Sequence, residues 1–146
     1  MTDMRPIGIL DSGFGGLSVA RAVAELLPQE NLIYAADCGF APWGDRTDDF
    51  ILKRTHELVS HLLKNDVKAI VIACNTATAV CAEILRAELS MPVIGIEPAV
   101  LPGARTTRTG IIGVMATTKT LASAKYRHLK SIAPREVKIL DCPCPG

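Results

Sequence analysis

Four short aliphatic runs, Ile7-Gly8-Ile9-Leu10, Leu32-Ile33-Tyr34-Ala35, Ala69-Ile70-Val71-Ile72-Ala73 and Val93-Ile94-Gly95-Ile96, alternate with longer stretches of helical period. Near-continuous apolar strands separated by helices are the mark of βαβ units, whose parallel strands are covered on both faces. This predicts an α/β fold with an open, mostly parallel sheet and helices on both faces. Ile51, Leu52, Thr55, Leu58, Val59, Leu62 and Leu63 recur at three- and four-residue steps, so an amphipathic helix is expected from about Asp48 to Lys64. Leu17, Ala20, Ala24 and Leu27 make a second stripe ending at Pro28, and Val80, Ile84 and Leu85 a third ending before Pro92.

After Pro98 the pattern resumes with a strand at Thr109–Val114, a helix from about Thr118 to Ser131 and a strand at Val137–Leu140. That last strand has no covering helix after it, so the sequence reads as cut short inside a second, similar α/β unit. The expected division is residues 1–97, a first α/β domain, and 98–146, the truncated beginning of a second. A length of 146 residues accommodates about one domain and a piece of another.

Composition narrows the function classes. Sixteen Lys and Arg against fifteen Asp and Glu leave a net charge of +1 with no block of like sign, which argues against a nucleic-acid partner. No apolar run approaches the roughly 18 residues of a membrane span, and the residues before Asp11 contain no signal-peptide core. Five cysteines, an odd number without an export signal, fit reduced thiols and a cytoplasmic setting.

In open α/β sheets ligands bind where strands end, so the residues after each strand are the ones to read. Asp11-Ser12-Gly13-Phe14-Gly15-Gly16 follows the first strand: a carboxylate, a hydroxyl and three glycines before a helix whose free N–H groups favour an anion. A small carboxylate or a phosphate suits that turn. Serine at position 18 breaks the dinucleotide fingerprint, although Asp37 stands where a ribose-binding acid would. A plain tight turn capped by Ser12 accounts for the glycines but not for Asp11 at the strand's end.

Cys74-Asn75-Thr76 follows the third strand and opens a helix. Helix dipole and N–H groups favour a thiolate at such a place, so a catalytic thiol and a small buried residue both remain readings of Cys74. Cys81 lies on a helix and reads as packing, while Cys38 in its loop is a candidate to face the cleft. Cys142 and Cys144 lack a second pair, and His56, His61 and His128 lack metal-ligand spacing, so no metal is expected. Trp43, between Pro42 and Gly44, reads as a lid or pocket wall, or as a surface loop.

The order Ile9-Leu10-Asp11-Ser12-Gly13-Phe14-Gly15-Gly16-Leu17, Ala41-Pro42-Trp43-Gly44, Ala73-Cys74-Asn75-Thr76-Ala77, Pro92-Val93-Ile94-Gly95-Ile96-Glu97-Pro98 resembles the glutamate racemases over nearly the whole chain. The resemblance implies a cofactor-independent isomerase interconverting L- and D-glutamate for peptidoglycan, with its site between two similar domains. It implies that Cys74 takes the α-proton and that Asp11 and Ser12 assist proton movement and hold substrate. Pro42, Trp43 and Gly44 fall on the family's Pro-Tyr-Gly loop, with Trp in place of Tyr. Asn75 and Thr76 would bind the α-carboxylate, and Thr117 and Thr120 would bind from the second unit. The family's second catalytic cysteine, in a Cys-Thr-His motif, has no counterpart here. Racemisation by these 146 residues alone is therefore expected to be poor or absent. The remaining alternatives are a non-catalytic domain that binds an amino acid or a protein, and a nucleotide-binding domain; a homodimer is left open.

Overall fold

A computed structural model describes residues 3–144. Strands β1 (Ile7–Asp11), β2 (Leu32–Ala36), β3 (Ala69–Ile72) and β4 (Val93–Gly95) form one parallel sheet in the order β2-β1-β3-β4. Strand period two sends alternate side chains to opposite faces. Ile9, Val71 and Ala73 pack under helix α1 (Leu17–Leu26), whereas Leu10, Ile70 and Ile72 pack under α2 (Asp48–Leu63) and α3 (Asn75–Glu88). Both faces are thus covered, as the unbroken aliphatic runs require.

Helix α2 starts where Thr47 Oγ1 accepts from the Phe50 N–H at 3.2 Å, with Asp48 and Asp49 in the first turn complementing the dipole. It buries Ile51, Thr55, Val59 and Leu62, four members of the predicted stripe. Helix α1 packs differently from expectation. Its contact face is Val19, Ala20 and Val23, while Leu17 and Leu27 are exposed. Apolar residues occupy most positions of this helix, so its period fits two faces, and only one lies against Ile9 and Val71.

Beyond β4, helix α4 (Val100–Thr106) leads to β5 (Ile111–Ala116), α5 (Thr118–Ala122), α6 (Ala124–Ser131) and β6 (Lys138–Pro143). Strands β5 and β6 make a separate parallel pair. Val100, Tyr126 and Leu129 form its core against Ile112, Val114 and Ile139. Among the described residues no helix covers the opposite face, and β5 alternates between exposed and half-buried residues.

Helix α4 escapes the sequence pattern because Pro102 and Gly103 lie inside it; Pro102 falls in the first turn, where its missing N–H is not needed. The single helix expected at Thr118–Ser131 is two. Ser123 is extended (φ −68°, ψ 149°), donates its hydroxyl to the Thr120 carbonyl at 2.7 Å and accepts from the Tyr126 N–H at 3.1 Å, so it ends α5 and caps α6. Among the described residues no helix is long and apolar enough to cross a membrane.

Candidate active site

The tips of β1 and β3 deliver Asp11 and Cys74 to one cleft of about 580 Å³. Ser12, Pro42, Trp43 and Gly44 line it from the first sheet's loops, Asn75 and Thr76 from the start of α3, and Thr117 and Thr120 from the start of α5. The structure therefore brings together the residues that the family resemblance implies for the site, whereas Cys38 and Asp37 lie outside the lining. Among the described residues no Lys or Arg lines the cleft, so an anion bound there would be held by their N–H groups and hydroxyls.

Cys74 is the N-cap of α3, in extended backbone (φ −126°, ψ 122°), because the chain leaves β3 and turns directly into the helix. Its sulfur accepts from the Ala77 N–H at 3.4 Å and lies 3.3 Å from Ser12 Oγ. It is 9 % exposed and lines the cleft, so it is screened from bulk water without being sealed in the core. A sulfur placed this way, between a helix N-terminus and a hydroxyl, is open to a ligand in the cleft.

Asp11 is organised from within its own turn. Oδ1 accepts from the Ser12 N–H at 2.8 Å, and Oδ2 accepts from the Gly16 N–H at 2.8 Å and lies 3.1 Å from the Tyr34 hydroxyl. The same hydroxyl lies 3.0 Å from the Gly13 carbonyl, so its single proton serves two acceptors. Burial, and then the Asp11 charge, push the Tyr34 phenol above its usual range and keep it a donor. Gly16 is helical (φ −66°); what it supplies is space. A Cβ there would meet Ala73 Cβ at 2.8 Å and Asp11 Cβ at 2.9 Å.

Tyr34 is the residue that reading by strand tips misses. The available signal was its register opposite Ile9, which puts a polar-tipped aromatic on the strand beside the turn. A hydroxyl cluster joins α3 to α5: Thr76 Oγ1 lies 3.0 Å from Thr117 Oγ1, and Thr117 Oγ1 donates to Thr120 Oγ1 at 3.0 Å. Thr117 is also the N-cap of α5, accepting from the Thr120 N–H at 3.2 Å.

Trp43 is 1 % exposed and belongs to the main core as well as to the cleft wall, which removes the surface-loop reading. Its Nε1 and Asn75 Oδ1 are buried with no hydrogen-bond partner among the described residues. Cys38 is exposed and absent from the cleft lining, since the 3₁₀ turn at Cys38–Phe40 carries it away. Asp37 is buried and paired with Arg54, whose guanidinium lies 3.8 Å over the Phe40 ring. That pairing occupies the acid a ribose would need. Cys81 is buried, donates to Thr55 Oγ1 at 3.4 Å, and burial pushes its thiol up to about 11. His56 is half-buried and 2.7 Å from Glu88, and His61 is exposed.

A family model described as Asp/Glu/Hydantoin racemase matches residues 15–133. The glutamate racemase of Ectopseudomonas mendocina (strain ymp) is 47% identical over 142 residues, covering 97% of this chain and 54% of that protein. That of Methylococcus capsulatus is 45% identical over 141 residues, covering 97% and 52%. Among solved structures, Escherichia coli glutamate racemase, in complex with L-glutamate and the activator UDP-MurNAc-Ala, superposes with a TM-score of 0.87 at 35% identity, covering 95% of this chain and 53% of that one. The Francisella tularensis glutamate racemase complex with D-glutamate gives a TM-score of 0.77 at 32% identity, covering 99% and 54%. The chain thus spans about half the length of the curated relatives it matches.

Proposed function

This chain belongs to the Asp/Glu/Hydantoin racemase family, and from that membership we propose that it carries the first proton-transfer half of a cofactor-independent glutamate racemase. The observation that supports the reading is the placement of Cys74 on one cleft with Ser12, Asn75 and the threonines of the second unit. In this reading the substrate α-carboxylate is held by Asn75, Thr76, Thr117 and Thr120, and Pro42, Trp43 and Gly44 wall off its side chain. Residues 1–97 and 98–146 are the two units that share it.

An α-proton is only weakly acidic, and its removal needs a positioned base and donors that stabilise the charge developing on the carboxylate. Cys74 thiolate takes the proton from one face, and the electron pair of the C–H bond passes into the carboxylate, which the hydroxyls hold. Asp11 fixes the β1–α1 turn, and with it Ser12 beside the sulfur. Inversion needs an acid on the other face. Without one, the S–H proton exchanges with solvent and returns to the same face, giving exchange without racemisation. The product role this implies is D-glutamate supply for peptidoglycan and hence for cell-wall growth and cell shape, in the cytoplasm.

Ligand preference tests the reading. L- or D-glutamate raises the thermal midpoint as ligand binding requires and perturbs the emission of Trp43, the single tryptophan, whereas NAD and ATP do neither. Stabilisation by a nucleotide and none by glutamate would contradict it.

A further inference from the structure

The segment from Asp37 to Arg46 carries Pro42, Trp43 and Gly44 to the cleft wall, yet its own backbone does little to hold it there. The Phe40 N–H donates to the Asp37 carbonyl at 3.0 Å, and the Arg46 N–H to the Trp43 carbonyl at 3.1 Å. Among the described residues, no backbone N–H between those two donors is paired with another backbone group. Trp43 has no polar anchor of its own either, since Nε1 finds no partner among the described residues. Packing and side chains from outside the segment therefore fix its course.

Two of those side chains come from α2, where Phe50 and Arg54 stand one turn apart on the same side of the helix. The Arg54 guanidinium forks onto Asp37, with Nε donating to Oδ2 at 2.8 Å and Nη2 to Oδ1, while Nη1 donates to Glu57. Its Cζ lies 3.8 Å from the centroid of the Phe40 ring. Phe40 in turn meets Phe50, with ring centroids 6.5 Å apart, and the Arg46 guanidinium stands 5.2 Å over the Phe50 ring. Cation, ring, ring and cation thus form one stack that takes hold of the segment at both ends. The Asp37 and Arg54 side chains are 6% and 15% exposed, so their pairing is screened far less than that of a surface pair.

We propose that Arg54 is a positioning residue of the cleft: its grip on Asp37 and Phe40 draws the segment against α2 and thereby sets Pro42, Trp43 and Gly44 in the wall. Arg54 does not line the cleft, so it acts through the segment. A planar fork and a face that stacks on a ring belong to arginine and not to lysine, while lysine keeps the charge that the buried Asp37 needs. Arg54→Lys therefore loosens the grip without stranding the carboxylate. That the wall faces glutamate rests on the proposed function; that Arg54 sets the wall does not.

Trp43 is the single tryptophan, so its shielding from acrylamide reads the wall directly. Without ligand, Arg54→Lys and Phe40→Leu are each expected to raise the Stern–Volmer quenching constant about 2-fold or more, with the far-ultraviolet circular dichroism unchanged. His56→Gln, which removes the His56–Glu88 contact on the same helix, leaves the constant at the parent value. Glutamate affinity falls about 5-fold or more in the first two variants, because binding must then order the wall, and holds in the third. Parent-like shielding in Arg54→Lys or Phe40→Leu, an equal rise in His56→Gln, or loosened shielding with unaltered glutamate affinity would overturn the proposal. A parent chain that binds no glutamate, with the quenching pattern as expected, upholds the positioning and counts against the proposed function.

Discussion

At the scale of single residues, the β1–α1 turn shows how a glycine can be right for a reason other than the one its motif suggests. The sequence invites a reading in which Gly13, Gly15 and Gly16 bring backbone close to a ligand. Gly15 has open space around its Cβ position, whereas Gly16 is pressed against Ala73 and Asp11. Gly16→Ala is therefore expected to overpack the turn, lowering stability by about 1–3 kcal/mol in urea denaturation and weakening glutamate binding through the displaced Asp11. Unchanged stability and affinity would remove the crowding explanation. Asp11, Ser12 and Cys74 were legible because strand ends are where parallel sheets bind ligands. Tyr34 was not, because its contribution depends on cross-strand register, which no local motif encodes.

Among the elements, α2 and α3 meet through Thr55 and Cys81, both without solvent exposure. Burial raises the Cys81 thiol from 9.0 to about 11 in the folded protein. Below the lower value both folded and unfolded chains hold the proton, and this thiol leaves stability unchanged. Between the two values the unfolded chain ionises first, so stability falls by up to about 1.4 kcal/mol per pH unit. Cys81→Ala is predicted to flatten that alkaline decline, measured as denaturation midpoints from pH 8 to pH 11; an identical decline would contradict it. The long α2 stripe was readable because its polar face is charged and only one arc is apolar. In α1 most positions are apolar, and the packed arc was decided by the sheet; α4 was hidden by Pro102 and Gly103.

For the molecule as a whole, the four-stranded layer and the β5–β6 layer are joined by a hydroxyl contact and by ion pairs. Thr76 reaches Thr117 at 3.0 Å, Lys119 pairs with Asp48 at 2.6 Å, and Lys125 pairs with Glu97 at 2.8 Å. The ion pairs are partly exposed and screened, so Lys119→Gln is expected to cost less than about 1 kcal/mol, whereas Thr117→Val acts at the cleft and lowers glutamate affinity. Equal effects of the two on affinity would mean that the charges, and not the hydroxyls, organise the shared wall. The alternation of strands and helices made this arrangement legible up to β4. The split of the second helix at Ser123 and the stacking of Arg54 on Phe40 depend on packing between elements, where periodicity carries little information.

In the proposed reaction Cys74 acts as a base at the α-carbon. Its direct measurement is the rate at which the chain in D2O introduces deuterium at the α-carbon of each glutamate enantiomer, followed by proton NMR, beside the same rate for Cys74→Ser. Label entering one enantiomer without inversion, and a fall of at least about 100-fold in the variant, is the predicted result. Equal rates for parent and variant, or no label in either enantiomer with the parent chain, would contradict it.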